Sequence, residues 1–154
     1  MSKQLQLKIV TPEKLILEEL VDQVTIPTTE GEITILPDHV PLIATISSGD
    51  IVAVSDGEHI PMAVVGGFVE TKNPYSETGK DGDLTTVTIL ADFAEHVSNI
   101  SEVEIEKAKA KAEQLRKQAE NNEIVDFEHF ETELERSLNH VKIADKWRTK
   151  KYRK

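Results

Sequence analysis

Nine short runs between residues 5 and 90 alternate apolar with polar positions, and this period of two is the strongest constraint the chain carries. They are Leu5-Leu7-Ile9, Leu15-Leu17, Val24-Ile26, Ile33-Ile35, Ile43-Ile46, Val52-Val54, Ile60-Val65, Phe68-Val69 and Leu84-Leu90. A strand sends successive side chains to opposite faces, so alternation marks a half-buried strand, and many short strands split by turns mark an antiparallel sandwich or barrel. The turn residues agree. Asp56-Gly57 is a two-residue hairpin signal, Ser47-Ser48-Gly49-Asp50 and Thr28 to Gly31 are turn clusters, and Thr11-Pro12 breaks the first run. Residues 1–97 are therefore expected to form a β-sandwich of about ten strands.

At about residue 98 the composition shifts from β-branched and glycine-rich to Ala/Glu/Lys-rich. Ser101-Glu102-Val103-Glu104 has the form of a capping box, so a helix is expected to begin there. Ile105, Ala108, Ala112, Leu115 and Ala119 recur at helical spacing and make a narrow stripe that is mostly alanine. Asn121-Asn122 reads as a stop. Asp126 then caps a second helix that carries Phe127, Phe130, Leu134, Leu138 and Val141 on one side. Residues 98–154 are expected to form a C-terminal antiparallel α-helical hairpin. An alanine seam gives up on the order of 2 kcal/mol per site relative to leucine, so the hairpin should dock weakly and open readily.

The charge is divided as sharply as the pattern. The 154 residues carry a net charge of −10; up to Asn99 there are 5 Lys/Arg against 16 Asp/Glu, and from Ile100 onward 13 against 12. An acidic first part argues against nucleic acid, because phosphate contacts need clustered cations. The second helix begins acidic and ends basic, with six Lys or Arg from Lys146 to Lys154, an order that suits the helix macrodipole. The chain has no cysteine, so neither disulfides nor thiolate metal sites are available. Its N-terminus alternates like a strand and is not expected to be an export signal, and no apolar stretch approaches a membrane span. His39, His59, His96, His129 and His140 lack metal-site spacing, and neither a Gly-x-Ser-x-Gly nor a phosphate-loop pattern occurs. No catalytic residue, metal or cofactor is expected.

Three stretches in this frame resemble a known family. Gly31 to Leu42, Gly-Glu-Ile-Thr-Ile-Leu-Pro-Asp-His-Val-Pro-Leu, is similar to the segment that marks the ε subunit of the F-type ATP synthase. Gly66-Gly67-Phe68-Val69-Glu70 resembles that family's Gly-Gly-hydrophobic-hydrophobic-Glu run, and Leu90-Ala91-Asp92 resembles the end of its sandwich. The order and spacing of the three also agree. The resemblance implies a non-catalytic central-stalk (rotor) subunit on the cytoplasmic face of the cell inner membrane, held there through partners. Its sandwich would bind the γ subunit and the c-ring, coupling proton translocation to ATP synthesis in the catalytic head. Its hairpin would regulate, opening along γ to meet the α and β subunits and inhibit ATP hydrolysis.

Carried over residue by residue, the resemblance places Glu32, Asp38, His39 and Pro41 at the c-ring/γ interface, and Arg136, Lys142, Lys146 and Arg148 at the inhibitory contacts of the hairpin. Some bacterial members bind ATP at the start of the first helix through Ile or Leu, Asp, two variable residues, Arg and Ala. Here Ile100 agrees, but Ser101, Glu104 and Ile105 replace the Asp, Arg and Ala, so a carboxylate stands where a cation would meet phosphate. No ATP binding is expected there. The polar excursion from Asn73 to Asp83 is longer than most members carry and is expected to be an exposed loop. The competing reading is a free-standing β-sandwich binding module that self-associates through the Phe127 to Val141 stripe.

Overall fold

The structure is a computed structural model that describes residues 3–73, 84–99, 102–121 and 127–151, in two compact units, Met1–Glu95 and His96–Lys154. Among its described residues the first unit has eight strands: β1 (Leu5–Val10), β2 (Leu15–Val21), β3 (Gln23–Thr28), β4 (Gly31–Ile35), β5 (Leu42–Thr45), β6 (Gly49–Ser55), β7 (Glu58–Lys72) and β8 (Thr86–His96). The predicted loop from Asn73 to Asp83 lies, past Asn73, outside the described residues. The sheet order is β2-β1-β8-β7-β6-β3-β4, with β5 also paired to β7. All pairings with a described register are antiparallel except β1 with β8, which run parallel with Gln6 opposite Thr86 and Val10 opposite Leu90.

Period-two burial sets the core, in the predicted phase for β1 and β3 but in the opposite phase for β6, where the sequence reads Val52 and Val54 as the run and Ile51 and Ala53 take the inner face. Leu15 of the second run is exposed. Leu5, Leu7 and Ile9 of β1, Val24 and Ile26 of β3, Ile51 and Ala53 of β6, and Val87, Ile89 and Ala91 of β8 are buried, while their neighbours in each strand face outward or lie half-buried. Two inward faces of this kind close on each other only as a sandwich.

Strand β7 is where the two layers join. Its first half pairs with β6 from Glu58 to Val64, and its second half pairs with β5 from Phe68 to Thr71. Between the halves lie Gly66 and Gly67, with φ of +60° and +121°. The sequence reads Ile60-Val65 and Phe68-Val69 as separate runs. They are one strand because the glycines bend the chain between sheets without ending the pairing. A Cβ built on Gly67 would stand 2.1 Å from the carbonyl oxygen of Leu90 and 2.8 Å from Cα of Ala91, so β7 and β8 approach at a distance that no side chain permits.

Among its described residues the second unit has a 3-10 turn, Val97–Asn99, and two helices, α1 (Glu102–Glu120) and α2 (Phe127–Lys151). On α1, Ile105 and Ala112 are buried and Ala108 and Leu115 half-buried, as the predicted stripe has them, and the side chain of Ala119, its last member, lies outside the described set. Lys111 Nζ meets Glu133 Oε1 at 2.9 Å across the pair. The two residues are equally far from position 122, as an antiparallel hairpin requires.

The seam of α2 differs from the predicted one. Leu134 and Val141 are half-buried on it, but Leu138 is 53% exposed, and the buried described positions of α2 are Ser137, Asn139, Ile143 and Ala144. Residues 134, 137, 141 and 144 keep the spacing of three and four that lines one face. Small side chains at 137 and 144 allow close helix packing, and Leu138, one position off that face, is left outside it. The side chains of Phe127 and Phe130 lie outside the described set, as do the capping residues Ser101 and Asp126.

Candidate functional site

Between β4 and β5 the chain turns through Leu36-Pro37-Asp38-His39. The His39 N–H donates to the Leu36 carbonyl at 3.2 Å, and Asp38 takes φ of +66°. Proline at the second place and a positive φ at the third make this a type II turn. Three further bonds converge on Asp38. Its carboxylate accepts from Lys3 Nζ at 2.7 Å, its N–H donates to Thr85 Oγ1 at 2.8 Å, and its carbonyl accepts from Asn73 Nδ2 at 3.0 Å. Next to it, His39 Nδ1 lies 2.7 Å from the Val40 carbonyl, so that nitrogen is the donor and Nε2 is left for other partners. Leu36, Val40 and Pro41 are exposed, and His39 is half-buried.

The structure therefore brings Asp38, His39 and Pro41 together and sets Glu32 apart. Glu32 is an exposed residue near the start of β4, opposite Pro27 and beside the Thr28–Gly31 turn with exposed Glu30. Six residues, or at most about 20 Å of extended chain, separate it from Asp38. The loop at one end of β4 is largely apolar, and the turn at the other end is acidic.

Next to the apolar loop lies a face that the alternation alone did not reveal. On the outer surface of the β2-β1-β8-β7-β5 layer, Val10 stands opposite both Leu15 and Leu90; Leu90 adjoins the Gly67 crossing; Phe68 stands opposite Thr45; and Ile43 stands opposite Glu70. Ile43 is 73% exposed, Phe68 57% and Leu90 56%, with Leu15 and Val40 also exposed. Scattered apolar residues on a surface are ordinary, but a row of them crossing five strands, with Ile43 leading back to the exposed Val40 and Pro41, is the kind of surface that partners cover. The signal for it is present in the sequence as adjacent apolar pairs. Ile9-Val10, Leu42-Ile43, Phe68-Val69 and Ile89-Leu90 each put an apolar residue where strict alternation would put a polar one. One residue of each pair is turned toward the inside, and the other joins the row.

On the hairpin, Arg136, Lys142 and Lys146 are exposed along α2, and the side chain of Arg148 lies outside the described set. Lys142 and Lys146 are one turn apart on one face, whereas Arg136, six residues before Lys142, is rotated about 120° from it. The structure does not gather these cations into a single stripe. Of the residues at the degenerate nucleotide motif, Ser101 lies outside the described residues, Glu104 is exposed on α1, and Ile105 is buried in the seam with Ala112. Ile105 is thus a packing residue of the hairpin. Among the described residues no group of three or more His, Asp or Glu is placed to hold a metal ion, and no helix is long and apolar enough to cross a membrane.

Residues 4–77 match the model of the family described as ATP synthase, Delta/Epsilon chain, beta-sandwich domain. The chain is 36% identical over 140 residues to the ATP synthase epsilon chain of Herpetosiphon aurantiacus, covering 91% of this chain and 93% of that one. It is 37% identical over 141 residues to the epsilon chain of Halalkalibacterium halodurans, covering 91% and 96%. Among solved structures, a chain of the Euglena gracilis mitochondrial ATP synthase assembly with OSCP, F1 and the c-ring superposes with a TM-score of 0.64 at 22% identity, covering 92% of this chain and 79% of that one. A chain from the central stalk and c-ring of the Tetrahymena thermophila mitochondrial ATP synthase superposes with a TM-score of 0.54 at 15% identity, covering 95% and 98%. At these identities the superpositions speak for the fold.

Proposed function

The chain belongs to the ATP synthase epsilon-chain family, and from that premise we propose that it is a non-catalytic part of the rotor, carried on the γ subunit between the c-ring and the catalytic head. The observation that carries this reading is the apolar row from Leu15 to Ile43 with the rigid Leu36 to Pro41 loop at its edge. A subunit that transmits torque needs a stable protein interface, and such interfaces have an apolar, aromatic-bearing centre with a polar rim. The γ subunit is the occupant of this face. The acidic turn with Glu30 and Glu32, at the other end of β4, meets the polar loops of the c-ring. Attachment to the cytoplasmic face of the inner membrane then runs through these partners, and the coupling of proton translocation to ATP synthesis runs through the subunit as a mechanical link.

The hairpin is the regulatory part in this reading, and its effect is modest. Its buried described side chains are two isoleucines, Ile105 and Ile143, with the small or polar Ala112, Ser137, Asn139 and Ala144, a modest area to hold the helices closed, and its cations do not share one face. Removing residues 100–154 from the assembled complex is expected to raise ATP hydrolysis by about two- to threefold, the size of response that a shift of less than ~1 kcal/mol between hairpin states produces. Steady-state hydrolysis by complexes with the full and the shortened chain measures it, and identical rates would remove the regulatory role. The isolated chain is expected to bind ATP no tighter than about 1 mM. Saturable binding well below that concentration in a calorimetric titration would contradict the packing role of Ile105.

Affinity capture tests the rotor reading as a whole. A tagged full-length chain recovered from membranes containing the synthase is expected to bring down γ, α and β in fixed proportion. Recovery of the chain alone, or only with copies of itself, would overturn the reading in favour of a self-associating module.

A further inference from the structure

We propose that Thr85 and Asn73 are positioning residues for the docking loop: they clamp the backbone of Asp38 and so fix where His39 and Val40 stand beside the apolar row. The inference rests on the reading of that row as the seat of γ.

The positive φ of Asp38 is a conformation that glycine adopts freely and that aspartate tolerates better than most residues. A turn that needed only that conformation would be complete with its internal bond from His39 to Leu36. Here the same residue is held from outside by both of its backbone polar groups, the N–H by Thr85 and the carbonyl by Asn73, while Lys3 holds its carboxylate. Each tie begins at the end of a strand that carries part of the row. Lys3 precedes β1, which carries Val10; Asn73 directly follows β7, which carries Phe68; and Thr85 directly precedes β8, which carries Leu90. The clamp therefore ties the loop to the ends of three strands that carry the row five to seven residues away, and so fixes its place on the sheet that bears the row.

Thr85 is the anchor of the set. It is 2% exposed, and its carbonyl accepts from the Gln6 N–H at 2.9 Å, opening the β1–β8 pairing, while its hydroxyl accepts from Asp38. One residue thus starts the ladder and locates the loop. Loss of the hydroxyl leaves the carbonyl bond in place, so the loop should loosen while the ladder stays closed.

The test compares the full-length chain with Thr85→Val, with the Thr85→Val/Asn73→Ala double variant and with Thr85→Ser, using amide hydrogen exchange and affinity for purified γ. Exchange at the amides of Asp38 and His39 is expected to accelerate about tenfold in the double variant, with Ile9 and Ile89 unchanged, and affinity is expected to fall by a similar factor because only the ordered loop is competent to bind. Thr85→Ser, which keeps the hydroxyl, is expected to restore both. Unchanged protection at Asp38 in the double variant overturns the clamp. A loosened loop with full affinity overturns its role in docking. Phe68→Glu run in parallel separates the two readings: if it too binds γ fully, the docking face is what has failed, and the exchange rates alone decide the clamp.

Discussion

Gly67→Ala is expected to destabilise the chain by roughly 3 kcal/mol or more, the sum of a strained backbone and an overpacked contact. The added methyl group would sit 2.1 Å from the Leu90 carbonyl oxygen and 2.8 Å from Ala91 Cα, and neither can swing aside because both belong to the backbone of β8. The φ of +121° adds a conformation that alanine scarcely visits. Gly66→Ala is the control. Its Cβ would stand 2.6 Å from Asp92 Oδ2, the end of a flexible side chain, and its φ is +60°, so a cost of about 1–2 kcal/mol is expected. For a unit of this size, thermal unfolding should show Gly67→Ala melting more than about 10 °C below the parent and Gly66→Ala much nearer to it. Equal losses for the two variants would mean that the close approach of β7 to β8 is not what Gly67 serves.

Phe68→Glu is expected to weaken binding to γ by about 2–4 kcal/mol while leaving the isolated chain's stability within about 0.5 kcal/mol of the parent. The ring is more than half exposed and lies between Leu90 and Ile43 in the apolar row, so in the free chain its replacement uncovers little. In the complex it would bury a carboxylate in the centre of the interface. Ile43→Ser, at the edge of the row, should cost less, and the two effects should not add if both side chains enter one pocket on the partner. Titration of γ with the two single variants and the double variant measures this. Parent-like affinity in both single variants would show that γ docks on another surface.

Much of the sandwich is legible as sequence because burial on one face forces period-two patterning. Leu5, Leu7 and Ile9, and Val24 and Ile26, read as strand runs and are buried, whereas at Val52-Val54 the run of four apolar residues from Ile51 leaves the phase open and Ile51 and Ala53 take the inside. The runs on either side of Gly66-Gly67 were harder to join, because glycine weakens a strand by propensity, while this corner needs it for its backbone. The first helical stripe was legible through Ile105 and Ala112. The second was legible at Leu134 and Val141 but not at Leu138, which carries more apolar weight than Ser137 and yet faces outward while Ser137 is buried. At the candidate site, the Leu-Pro-Asp-His turn could be read from its turn chemistry. Its ties to Lys3, Asn73 and Thr85 could not, because they join residues 35 to 47 positions apart that only the folded sheet brings together.

The parallel pairing of β1 with β8 sets when this chain can fold. Gln6 must wait for Thr86, 80 positions later, before the first strand gains its inner neighbour, and β8 is the last strand of the unit. Closure over such a separation comes at a large entropic cost that local hairpins such as β6–β7 do not meet. On a growing chain, β1 and β2 therefore leave the ribosome as an unsupported hairpin, with Leu5, Leu7 and Ile9 uncovered until about ninety residues have emerged. The sandwich is completed late and in one step, and an abbreviated nascent chain that stops short of β8 would expose the surface on which chaperones and proteases act.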